Sequence, residues 1–275
     1  MKGPVPSTRG RPETVGPVIP ADAAGALQPQ WQVAPAWRDR FPPPEPIDWS
    51  ALANDPRAEL VKSNPQRRVW RVSFGHEHYY VKQFLVEAWT DRGRGLLGKG
   101  PGEREWRCSL EAVARGVACV APVACGRLRS PQGVLGRLTE FLVTQAAPKT
   151  TPLPEAWHQA MNLNPSRQRS LAVRALIDAV AALCARAHDA GLGHRDNHPG
   201  NILIRDAGTL EPAALYVDLY GAAMVPSLSD GRAAAGLAQL DQWFARHASR
   251  SQRLRFLRQY GAQRFGRQDR AASRL

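Results

Sequence analysis

Residues 191–204 read GLGHRDNHPGNILI. Asp196 is followed five residues later by Asn201, and the apolar run Ile202-Leu203-Ile204 comes next. Transfer of a phosphoryl group to a hydroxyl uses this pair of side chains. A carboxylate faces the attacking hydroxyl, and an amide oxygen faces a magnesium ion held between phosphates. Pro199-Gly200 supplies a compact turn that can aim both into one cleft. The same residues could also form a plain turn with surface polars ahead of a strand, so the flanking order has to decide.

Upstream, Val69–Phe74 and Tyr79–Phe84 are β-rich runs around the turn Gly75-His76-Glu77-His78, which reads as a hairpin. Leu60-Val61-Lys62 reads as a strand before it, turning through Ser63-Asn64-Pro65-Gln66. Lys82 lies in the third of these strands, a position from which a lysine reaches the α- and β-phosphates of a nucleotide. No GxGxxG covers the first turn. Side chains of Ser63, Asn64 and Gln66, or main-chain donors, are expected to replace glycine's close approach. Residues 85–102 contain DRGRGLLGKGPG and read as a flexible basic loop; Lys99 is followed by Gly100, so no GxxxxGK[ST] motif is present.

Glu103-Arg104-Glu105-Trp106 opens a helix running to about Arg115, with Trp106, Leu110, Val113 and Ala114 on its apolar face. An acid of this helix should pair with Lys82, since a buried lysine without a counter-charge tends to lose its proton. Glu105 is the choice; Glu103 and Glu111 stay open. Two strands, 117–128 and 134–142, follow around the turn 130–133. The exit of the second places the contacts to a nucleotide base on the main chain of Glu140–Leu142.

A Pro-rich connector leads to a helix over 170–190, with Leu171, Ala175, Leu176, Ala179, Val180 and Leu183 at helical spacing. This helix feeds the 191–204 loop. Beyond it, Leu215-Tyr216-Val217 is a strand that ends at Asp218, a second magnesium ligand by position. Few residues separate Asp218 from the next helix, near Asp230. That leaves little room for a protein-substrate platform and favours a small molecule or glycan as acceptor. From Trp243 onward the chain carries nine arginines and one acid, Asp269. Leu254, Phe256, Leu257 and Tyr260 give this part the apolar stripe of a docked amphipathic helix. Its exposed arginines could meet an acidic membrane or a phosphorylated substrate.

The chain has 275 residues and a net charge of +13, enough for one two-lobed domain and suited to anionic partners. Four cysteines, Cys108, Cys119, Cys125 and Cys184, form no CxxC pair and read as small buried side chains in a reducing compartment. The first residues lack a signal-peptide core, and no apolar run reaches the ~18 residues of a membrane span. The expected location is the cytoplasm, with peripheral contact at the inner face of the cytoplasmic membrane left open. Residues 1–45, rich in Pro, Ala and Gly, read as a largely disordered segment with a short helix near Trp31–Arg40; docking of Trp31 and Trp37 on the domain is the alternative to a loose tail.

HRDNHPGNILI together with VDLYGA resembles the lipopolysaccharide kinases, which phosphorylate heptose or Kdo sugars of the inner core. WRVSFGHEHYYVKQF, GEREWRCSLEAVARGVACVAPVACG and RSQRLRFLRQYGA extend the likeness over residues 58–261. The resemblance implies a two-lobed α+β protein-kinase-like fold, with a β-rich N-lobe over 46–142 and a mainly helical C-lobe over 143–275. It implies Asp196 as catalytic base, Asn201 and Asp218 as magnesium ligands, and Lys82 with Glu105 at the nucleotide phosphates. ATP and Mg2+ are the implied cofactors and a lipid-linked glycan the acceptor; a monomer without nucleic acid is expected. Asn197 departs from the leucine common in such loops, and Tyr220-Gly221 from a basic residue often found after the Asp-Leu pair. A small-molecule kinase of the aminoglycoside type and a nucleotide-binding pseudokinase remain as alternatives. The first would call for an acidic acceptor pocket. The second would lack one of Lys82, Asp196, Asn201 and Asp218, all of which are present.

Overall fold

The computed structural model describes residues 29–42, 47–86, 100–129 and 138–272, without the side chains of 267–272. The basic loop and the turn at 130–133 therefore lie outside the described residues, except for Leu85, Val86 and Gly100 to Gly102. The first lobe is an antiparallel sheet of six strands: β1 (Gln30–Val33), β2 (Ala58–Ser63), β3 (Arg67–Phe74), β4 (Glu77–Val86), β5 (Pro122–Arg129) and β6 (Leu138–Gln145). Their spatial order is β1-β5-β6-β4-β3-β2. Helix α1 (Pro101–Ala114) packs on this sheet.

The second lobe holds α2 (Leu153–Met161), α3 (Ser166–Asp189), α4 (Asp230–His247) and α5 (Arg250–Ala272). Short strands run between them: β7 (Thr150–Pro152), β8 (Leu192–His194), β9 (Ile202–Arg205), β10 (Ala213–Tyr216) and β11 (Ala222–Met224). Each lobe has its own core. Trp31, Trp70, Phe84, Trp106 and Phe141 sit in the first, and Trp157, Leu176, Cys184, Ile202 and Tyr216 in the second.

Residues 30–41 correct the expectation of a loose segment, while the short helix expected near Trp31–Arg40 stands as the 3-10 turn Pro35–Trp37. They form β1 and this turn, and Trp31, Trp37 and Phe41 are buried against Trp49, Tyr79 and Phe141. An average over Pro and Ala hides three aromatic side chains, Trp31, Trp37 and Phe41, each with a large apolar surface to remove from water. Trp31 lies across the sheet from Gly126, which leaves room for its ring. A Cβ at Gly126 would stand 2.5 Å from that ring. Gly126→Ala is therefore expected to lower stability by about 1–3 kcal/mol through overpacking, measured as a lower Tm. An unchanged Tm would mean that β1 is not held against this position.

Strand β6 also corrects the placing of the base contacts. Leu142 pairs with Lys82 on one side and Cys125 on the other, so the main chain of Glu140–Leu142 is mid-sheet. The strand leaves the sheet only at Gln145, and the connection between lobes follows.

Helix α3 buries Val173, Leu176, Ile177, Val180, Leu183 and Cys184 along one face. It stops where Gly191 adopts φ +87°, with the Gly191 N–H donating to His188 O. A Cβ there would lie 1.9 Å from Val225 O, so only glycine turns the chain into the loop at this distance. Helix α5 docks through Tyr260, whose hydroxyl is 2.8 Å from His188 Nδ1, and through Arg255, bound to Asp178 at 2.6 Å. Leu254 and Leu257 remain exposed and line an apolar cavity of about 580 Å³ among α2, α3, α4 and α5. Among the described residues, no helix is long and apolar enough to cross a membrane.

Candidate active site

Lys82 projects from the middle of β4, and its Nζ is 2.5 Å from Glu105 Oε1 and 3.1 Å from Asp218 Oδ1. The three groups come from the sheet, α1 and the segment after β10. Of the acids left open by the sequence, Glu105 is the one that meets Lys82. Glu103 turns to Arg107 and Arg127, and Glu111 to Arg115. Glu105 Oε1 also accepts from the Leu219 N–H at 3.2 Å, so one carboxylate ties three parts of the fold together. Burial raises the Glu105 carboxyl; Lys82 pulls it down, but the net direction is up. Burial also raises the Asp218 carboxyl. Here Lys82, the Tyr220 N–H and Arg67 outweigh it and hold the group well below the usual carboxylate range.

Helix α1 is pinned at its start as well. Glu140, fully buried in β6, accepts from the Gly102 N–H at 2.9 Å and lies 3.4 Å from Arg127 Nε. A carboxylate at this end satisfies orphan N–H groups and the positive end of the helix dipole. This role explains why an acid sits in mid-sheet, and it fixes the axial position of Glu105.

Asp196 and Asn201 stand at the two ends of the loop between β8 and β9. The Asn201 Nδ2 donates to Asp196 O at 2.8 Å and reaches Asp196 Oδ2 at 3.5 Å. This leaves the amide oxygen of Asn201 without a donor among the described residues. Asp196 is largely open to solvent, its side chain 70% exposed. His198 stands beside it, with Nε2 3.7 Å from Asp196 Oδ2 and Nδ1 accepting from the Gly200 N–H.

The two groups of residues are joined by His194. Its Nδ1 accepts from the Asp196 N–H at 3.1 Å, and its Nε2–H donates to Asp218 O at 2.8 Å. These partners assign the tautomer. Burial lowers the His194 pKa, favouring the neutral ring that both contacts need. Asn197, the unusual residue of the loop, is buried; its Nδ2 donates to Gly236 O and its N–H to Gln239 Oε1. It therefore fastens the loop to α4 by hydrogen bonds where leucine would do so by packing.

Sequence reasoning missed Arg67, whose Nη1 is 3.1 Å from Asp218 Oδ2. Strand alternation carries the signal. Lys82 pairs with Val69 and Phe84 with Arg67, so Arg67 and Lys82 share a face of the sheet. The turn that precedes it also differs from expectation. Asn64 Oδ1 accepts from the N–H groups of Gln66 and Arg67, so these main-chain donors and this amide close the turn on themselves.

Asp218 and the free amide oxygen of Asn201 are hard oxygen donors, the kind magnesium takes. Magnesium commonly uses one or two protein oxygens beside phosphates and water, so the donor set fits. Among the described residues, no group of three His, Cys, Asp or Glu could hold a metal.

The family model of the lipopolysaccharide kinases (Kdo/WaaP) matches residues 54–260. The lipopolysaccharide core heptose(I) kinase WaaP of Pseudomonas aeruginosa is 31% identical over 134 residues, 47% of this chain and 48% of that protein. The chain thus aligns with about half the length of this curated relative. A solved structure of WaaP in complex with acyl carrier protein superposes with a TM-score of 0.58 at 22% identity, covering 87% of this chain and 94% of that one. With the kinase-like fold shared and three quarters of the chain matched, this protein belongs to the lipopolysaccharide kinase (Kdo/WaaP) family.

Proposed function

We propose that the chain transfers the γ-phosphate of ATP to a sugar hydroxyl of a lipopolysaccharide inner core or a similar lipid-linked glycan. The observation that carries this reading is the contact of Lys82 with both Glu105 and Asp218, next to an exposed Asp196 backed by Asn201. Asp196 orients the acceptor hydroxyl and takes its proton as oxygen attacks phosphorus. Lys82, kept in place by Glu105, and Arg67 offset charge on the nucleotide phosphates. Asn201 Oδ1 and the Asp218 carboxylate would hold magnesium, which would neutralise charge on the transferring group. A lipid-linked acceptor brings the protein to a membrane face, where the arginines of α5 favour acidic lipid.

The solved relative was captured with an acyl carrier protein. We extend that partner to this chain, because the cavity among α2–α5 is apolar and opens beside Arg250 and Arg253. An acyl chain has the apolar chemistry of this cavity.

The test is incubation of the full chain with Mg-ATP and purified lipid-linked core glycan, with phosphate gain read by mass spectrometry. Transfer to the glycan supports the reading. Thermal stabilisation by Mg-ATP with no transfer to any core glycan would refute it in favour of a pseudokinase or another acceptor. Arg67→Met is expected to raise the KM for ATP about tenfold, the size of one lost charge-assisted hydrogen bond. An unchanged KM would show that Arg67 serves Asp218 alone.

A further inference from the structure

A second cavity, of about 300 Å³, adjoins the catalytic loop. Its lining includes Arg195 and Arg232, together with Gly193, Gly221, Gly236 and Gln239. Three of these residues are glycines, and at two of them the chain packs closely. A Cβ on Gly221 would stand 3.2 Å from the Asp196 Cβ, and one on Gly193 3.0 Å from Leu228. Arg195 directly precedes Asp196, and Arg232 lies in the first turn of α4.

The charge of this cavity is one-sided. Among the described residues, no aspartate or glutamate lines it, and its one histidine, His194, has both ring nitrogens engaged on the main chain. Neither guanidinium takes a hydrogen bond or ion pair from the described residues. Asp230, two residues before Arg232, is bound to Arg264 at 2.9 Å, and Asp196 faces His198. Gln239 is not free to serve a ligand, because its amide holds Arg195 O and the Asn197 N–H. That hold fixes the main chain from which the Arg195 side chain departs. Two cations with a rigid base and no counter-charge form a receptor for an oxyanion.

We infer that this cavity is an acceptor subsite for an anionic group, a carboxylate or phosphate ester carried by the glycan near the hydroxyl to be phosphorylated. The inference rests on the glycan-kinase reading and narrows its substrate class. Arg195 and Arg232 grip the anion, and the grip sets the neighbouring hydroxyl against Asp196. An acceptor without the anion forfeits binding, so the loss falls on KM more than on kcat.

Three forms of the core glycan decide it: native, carboxyl-reduced and phosphatase-treated. With the full chain and Mg-ATP, kcat/KM should fall about ten- to hundred-fold for the form that has lost the recognised anion. A fall on carboxyl reduction assigns an acidic sugar, and a fall on phosphatase treatment assigns a phosphate ester. Arg195→Gln and Arg232→Gln should each cut the preference for native glycan by about tenfold, with Tm unmoved because neither side chain has a partner to lose among the described residues. Calorimetric binding of the delipidated glycans should follow the same order without turnover. If the wild type treats all three alike, or both variants keep its preference, the subsite is overturned and the kinase reading stands. A wild type that phosphorylates none of the three overturns that reading and the subsite with it.

Discussion

Replacing Lys82 with methionine is expected to cost about 3–5 kcal/mol of stability at pH 8, a fall in Tm of about 10 °C for a chain of this size. The ammonium is almost entirely buried and, among the described residues, is the one cation that touches Glu105. Removing it leaves a carboxylate 2% exposed, with Oε2 unpartnered and the Asp218 carboxylate nearby. Asp218 fares better, because Arg67 remains. The variant should also be pH-sensitive in a definite direction. Burial already raises the Glu105 carboxyl, and loss of Lys82 removes a main influence that lowers it. Above the ordinary glutamate pKa of about 4.3, the unfolded chain has released this proton while the folded variant retains it. The folded state then binds more protons, and its stability falls as pH rises. The Tm deficit against wild type should therefore shrink between pH 8 and pH 5. A deficit that is constant over that window would mean that Glu105 is ionised without Lys82. Phosphate transfer should be lost together with stability, since Lys82 faces the phosphates in the proposed complex.

Asp196→Asn is expected to separate these two effects. A general base contributes about 10²–10⁴-fold to rate, so kcat should fall by about 10³. The Tm should hold, because the side chain is mostly in solvent and asparagine keeps an oxygen for Asn201. Thermal stabilisation by Mg-ATP should hold too, because Asn201 Oδ1, Asp218 and Lys82 are untouched. Retention of more than a tenth of wild-type kcat would remove Asp196 from its proposed role and turn attention to His198, whose Nε2 is the nearest other proton-transfer group in this loop.

What could be read from the sequence was tied to spacing. The separation of Asp196 from Asn201, and a strand ending at Asp218, are local patterns that survive without knowledge of the fold. Lys82 was legible because alternating β-runs surround it. Glu105 needed the structure, since three acids on one helix differ only in which way they face. Arg67 was lost among many arginines, although counting across the hairpin from Lys82 would have put it on the cleft face. The exit expected for the strand over 134–142 comes too early: the strand pairs on to Gln145, and Glu140 inside it is held by the start of α1. The N-terminal aromatics misled through averaging. Composition sees Pro and Ala, but burial is decided by Trp31, Trp37 and Phe41 finding a surface supplied by distant strands.

That surface sets an order of events during synthesis. Gly126, opposite Trp31, emerges only after β2, β3, β4 and α1 have been made. Until then β1 has no partner strand, and its aromatic side chains have no lid to close. Contacts so far apart along the chain form late, so the docking of β1 is the step that seals the first lobe. The interval before it is when exposed tryptophans can find the wrong neighbour.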